Sequence, residues 1–166
     1  MNLLSKQKLY QDTLLSKDFF LVNSYGYQYL YTKQDEETDK VNIVFVNKTI
    51  EREVEFYYAP FNAKKEEHDL IDLYIIKDEK NFINLQDYLR YKNIEGFSRV
   101  KGSTPEDYYN KLQKNNPFYL INIEGNFQKQ LRYILDYIEQ IADKYLRRIL
   151  EGEEWEEVPF DWGPYK

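Results

Sequence analysis

Asp78, Glu79 and Lys80 form an acid-x-lysine step just after a hydrophobic run, residues 70–76, that itself carries an acid at Asp72. The chemistry such residues could do is metal-assisted hydrolysis, in which carboxylates hold Mg²⁺ and the lysine positions the attacking water. Asp72, Asp78 and Lys80 are therefore the residues that a metal-dependent hydrolase or nuclease would use. The step is short, a charged turn after a strand accounts for it equally well, and no upstream acid is placed to complete it. His68, the single histidine, lies in the run AKKEEHD at residues 63–69, and there is no cysteine. Triads usually need a histidine base, and zinc sites need several histidines or cysteines. His68 thus reads as a solvated side chain, and a metal site built from His68, Asp69 and Asp72 would need further ligands. Among 29 acids some pair always falls at a distance suited to glycoside cleavage. The six glycines are scattered and form no phosphate loop. No catalytic, metal or cofactor-binding residue is assigned, and no cofactor is expected.

The second chemistry is recognition. Residues 151–166, EGEEWEEVPFDWGPYK, hold both tryptophans and six acids (Glu151, Glu153, Glu154, Glu156, Glu157 and Asp161) against one base, Lys166. That balance of −5, out of −6 for the chain, leaves the other 150 residues near neutral at −1. Desolvated aromatics anchor interfaces, and surrounding charges steer the encounter. Glu153, Glu154, Trp155, Glu156, Glu157, Asp161 and Trp162 are the candidate partner-binding residues, and a basic protein is the partner they suit. Aromatics this dense are also commonly buried. Trp155 and Trp162 folded back on the chain, with Val158, Pro159 and Phe160 in a groove, would be structure, and the glutamates would simply stay wet. The two readings are compatible, since buried tryptophans can hold an acidic ridge in place.

These residues need elements to position them. Residues 3–16 carry Leu3, Leu4, Leu14 and Leu15 at the spacing of a short amphipathic helix. The period then becomes two: Tyr25, Tyr27, Tyr29 and Tyr31 alternate with Gly26, Gln28, Leu30 and Thr32, as in a strand with a tyrosine ladder on one face. After the polar turn at 35–40, Val41, Ile43 and Phe45 resume a strand, turned at 47–49. Ile50, Arg52, Val54, Phe56 and Tyr58 then alternate with Glu51, Glu53, Glu55 and Tyr57, a half-buried strand with Arg52 as the exception on its apolar face. Pro60 ends it, and residues 70–76 read as a more buried strand. Short turns between period-two runs predict an antiparallel meander.

Helical signals follow. Asn84 caps a short helix through Tyr91, and Thr104-Pro105-Glu106-Asp107 opens another that stops at Asn115-Asn116-Pro117. Residues 118–123 fit either a strand or an early helical turn. A long helix spans 126–151 with the seam Leu131, Leu135, Ile138, Ala142, Tyr145 and Ile149, flanked by Ile134, Ile141 and Leu146. Lys144, Arg147 and Arg148 complement its dipole, and Gly152 closes it. The expected fold is α+β: an antiparallel β-meander of four or five strands with helices on one face and a long C-terminal helix.

At 166 residues the chain is one domain, 1–166, long enough to bury its own core. Aromatics make 17% of it, with 17 tyrosines, which suits a core with a wet rim. Tyrosines can also stack bases, but no basic residues interleave with them and the balance is acidic, so no nucleic-acid partner is expected. The start, MNLLSKQKLYQD, has no signal-like apolar stretch, and no run reaches the roughly 18 apolar residues of a membrane helix. A cytoplasmic location and no membrane partner are the expectation.

Leu150-Glu151-Gly152 followed by Trp155, Pro159, Trp162 and Tyr165 resembles the ending of small bacterial immunity proteins of polymorphic toxin systems, where a long helix ends in L-x-G before a W…P…W…Y tail. The resemblance covers about thirty C-terminal residues. It implies a stoichiometric inhibitor that binds a cognate toxin domain. The alternatives are the metal-dependent hydrolase or nuclease using Asp72, Asp78 and Lys80, and a structural adaptor or assembly subunit that uses the tyrosine-rich face.

Overall fold

The computed structural model describes residues 1–159. Five antiparallel strands lie in sequence order, β1 (Gln28–Gln34), β2 (Val41–Asn47), β3 (Arg52–Ala59), β4 (Leu70–Ile76) and β5 (Phe82–Asn84). Helices α1 (Leu3–Leu14) and α2 (Phe20–Asn23) precede the sheet; α3 (Leu85–Lys92) and α4 (Pro105–Gln113) follow it. The chain then forms α5 (Phe127–Ile141), a π turn (Ala142–Leu146) and α6 (Arg147–Leu150), which together make the long C-terminal helix. This is the expected α+β meander with a long last helix. No described helix is long and apolar enough to cross a membrane.

The alternation in β3 decides which face is covered. Val54, Phe56 and Tyr58 pair across the ladder with Phe45, Ile43 and Val41 of β2, and with Ile75, Leu73 and Ile71 of β4. All nine are buried. Tyr10 of α1 packs on Tyr58, Phe19 beside α2 packs on Phe45 and Phe56, and Phe127 of α5 packs on Tyr58. The helices therefore seal one apolar face into one continuous core.

Three local readings change. The tyrosine ladder does not form. Tyr25 and Tyr27 precede β1 and are buried, their hydroxyls donating to Asp143 Oδ1 (2.6 Å) and the Leu150 carbonyl (2.7 Å). A register shift between Tyr29 and Tyr31 then puts them on opposite faces, against Phe45 and Val44; the extra residue of a bulge inverts the period-two pattern. In the long helix, the π turn holds one residue more than an α turn, so the buried face passes from Ala142 to Leu146 and Tyr145 moves to the rim. There its hydroxyl donates to Glu95. Residues 118–123, open between a strand and a helical turn, form an isolated bridge at Tyr119 followed by a short turn. Phe118 and Leu120 pair with the start of β4 through Ile71 N–H to Phe118 O and Leu120 N–H to Asp69 O, and Leu120–Asn122 then closes a 3₁₀ turn.

Candidate functional site

The sequence marks two oddities, an arginine on an apolar strand face and a tryptophan in an acidic tail. The fold puts them together. Arg52, the first residue of β3, is buried, and its guanidinium lies 5.2 Å from the ring centroid of the half-buried Trp155. Lys77, just past the end of β4, approaches the same ring at 5.9 Å. A cation over an indole face is an attractive contact that strengthens with desolvation. Val158 is buried in the core beyond it. The tail thus crosses the sheet end where β3 begins and β4 ends, and Trp155 is packed down rather than presented to solvent.

The helix end aims the tail there. Glu153 N–H donates to Arg148 O (2.9 Å) and Gly152 N–H to Ile149 O (3.2 Å), with Gly152 at φ +77°. This is the paired closure of a helix by a left-handed glycine. Glu153, Glu154 and Glu157 are then exposed and Glu156 half-buried. Their charges are partly met within the chain. Arg148 reaches Glu153 (3.2 Å) and Glu154 (3.5 Å), Lys92 reaches Glu156 (2.5 Å), and Arg147 reaches Glu151 (3.4 Å). Among the described residues Glu157 has no ion pair. Asp161 and Trp162 lie outside the described residues. The ridge is therefore less bare than its composition suggests.

Asp72, Asp78 and Lys80 are not brought together. Asp72 is four residues, about 13 Å of strand, from the end of β4, with Asp78 in the turn beyond. Asp78 caps its own turn: the Asn81 side-chain amide donates to both of its oxygens (2.9 Å) and the Lys80 and Asn81 backbone N–H groups to Oδ1, and these bonds hold its carboxyl below the usual range. His68 sits under Phe61, ring centroids 5.7 Å apart, and Asp69 binds Lys6, Tyr58 and the Phe61 N–H. Among the described residues no group of three or more His, Asp or Glu is placed to hold a metal.

Asp72 instead repairs the sheet. β5 pairs only with Tyr74–Ile76, and the 118–120 segment only with Asp69–Ile71. Leu73 falls in the gap between them. Asp72 Oδ1 accepts the Leu73 N–H (2.7 Å), and Asn84 Nδ2 approaches the Leu73 carbonyl (3.4 Å). Asp72 Oδ2 accepts from Gln86 (2.7 Å), Asn84 (3.0 Å) and the Tyr57 hydroxyl (3.3 Å). Buried backbone polar groups must find partners, and here side chains replace a missing ladder.

The carboxyl is fully buried, and desolvation pushes its pKa up to about 6 despite these donors. The native chain therefore takes up this proton near pH 6, the unfolded chain near the ordinary aspartate value of about 4. Between those values the native state binds more protons, so this group's stabilisation is full below pH 4 and is lost as pH rises through 6. We expect Asp72→Asn to flatten this slope, which amounts to about 3 kcal/mol at most. Urea unfolding of both proteins at pH 4.5 and 7 checks it; equal slopes would place the ionisation elsewhere.

The fold and this site define an α+β meander protein with a packed-down acidic tail. Compared with known family models, with curated proteins and with solved structures, the chain finds no match.

Proposed function

We propose that this chain is a protein-binding inhibitor of immunity type, which neutralises a bacterial toxin domain by stoichiometric binding in the cytoplasm. The observation behind this reading is the pinned tail. Trp155 and Val158 fix the segment to the sheet end, so the carboxylates of Glu153, Glu154 and Glu157 are displayed on a rigid support and not on a free coil. Rigid display lowers the ordering cost of binding. The ion pairs to Arg148 and Lys92 do not oppose this, because exposed pairs contribute at most about 1 kcal/mol and exchange readily for a partner's bases. Trp155 serves as the support of the ridge, and the glutamates are the contact.

The test is capture from the source cells on the immobilised full chain, followed by stoichiometry and activity of what is retained. A basic protein bound one-to-one, whose toxic activity disappears on binding, is the expected result. No stoichiometric partner, or a partner fully active in the complex, overturns the proposal.

A further inference from the structure

We infer that the groove between α1 and α5 receives a lysine or arginine side chain of the protein partner. This inference rests on the inhibitor reading and names the chemistry of a contact on a second surface. The groove encloses about 350 Å³, and its floor is apolar, formed by Phe19, Leu131 and Leu135. Its rim carries Asp18, Asp136 and Glu139. None of these three carboxylates has a hydrogen bond or ion pair among the described residues, and Arg132, the one base of the lining, has none either. The rim therefore stands at −2.

The contrast with the rest of the helix is informative. Asp143 and Glu151, further along the same flank, both pair with Arg147. The chain compensates its acids there and leaves them uncompensated over the groove. Burial first, and after it the neighbouring Asp143 and Asp136 charges, raise the Glu139 carboxyl above its ordinary range. An apolar side chain alone would fill the floor and strip water from unpaired carboxylates, which costs free energy. A hydrated ion would satisfy the rim and leave the floor wet. Lysine and arginine combine an apolar stem with a cationic head, and so match both layers. Asp136, Glu139 and Asp143 follow at three- and four-residue steps, and Arg147 bonds both Asp143 and Glu151, which carries the same flank on to the tail. Glu151, where the tail begins, thus lies on the flank that carries the groove acids.

The experiment is an NMR titration of the full chain at low ionic strength with N-acetyl-arginine amide, and with N-acetyl-citrulline amide as its neutral isostere. The expected result is shifts confined to Asp18–Phe20 and to 131–139, with the citrulline probe at least fivefold weaker. The variant Asp136→Asn with Glu139→Gln should lose the arginine probe by a similar factor while its melting temperature holds or rises, since it removes only repulsion. Shifts spread evenly over the acidic surface, equal binding of both probes, or undiminished binding to the variant overturn the inference, as does a variant that melts lower because its acids are structural. Captured partner without a groove response defeats the groove alone; a groove response without any partner defeats the inhibitor reading.

Discussion

Gly152→Ala lowers the stability of the chain by about 2–5 kcal/mol. Two costs combine. At φ +77° the left-handed backbone costs an alanine roughly 1–2 kcal/mol. A Cβ built on Gly152 also falls 2.7 Å from Cβ of Ile50, closer than packed carbons approach. Ile50 is β-branched and stiff at that atom, so backbone must move, and such overpacking costs about 1–3 kcal/mol. The glycine is the point where the long helix, the β2–β3 turn and the tail meet. Urea unfolding of the variant measures the loss; a change below about 0.5 kcal/mol would mean that the tail leaves the turn without consequence for the core.

Ile138→Ala should cost about 2–5 kcal/mol, the range for truncating a buried aliphatic side chain. Ile138 is wholly inaccessible in the last turn of α5 and belongs to the continuous core under the sheet. Alanine is the better helix former, so the loss is one of packing and cavity. The same helix supplies its control, because Tyr133 is 54% exposed. Tyr133→Ala should stay within about 0.5 kcal/mol. Equal effects at both positions would contradict the face assigned to the sheet.

What could be read in advance follows from the range of the forces involved. β3 was legible because Val54, Phe56 and Tyr58 alternate with Glu53, Glu55 and Tyr57, and a strand with only one face in the apolar core shows that period. The starts of α3 and α4 were legible because Asn84 and Thr104 cap them through side-chain bonds three residues on, to Asp87 and Asp107 N–H. The four-residue α2 and three-residue β5 are too short to carry a period. The bulge after Tyr29 leaves no mark in composition, so the tyrosines read as a ladder that the backbone does not make. Arg52 stood out as misplaced, but its partner Trp155 lies 103 positions away, and only tertiary packing could join them. Asp72 stood out in an apolar run and suggested metal chemistry; its role as a patch depends on where β5 ends. The groove acids come from two distant segments, Asp18 from one and Asp136 and Glu139 from the other, so no local pattern announces them.

The most direct test of a steering acidic ridge is the association rate of the captured partner. It should be measured at low and at physiological salt, for the native chain and for the variant with Glu153, Glu154, Glu156 and Glu157 all changed to Gln. Long-range charge acts chiefly on association, and exposed charges are screened over about 10 Å at 0.1 M salt. The predicted result is an association about tenfold slower for the variant at low salt, a gap that narrows as salt rises, and a smaller effect on dissociation. Equal association rates at low salt would contradict the ridge and leave the packed tail as structure alone.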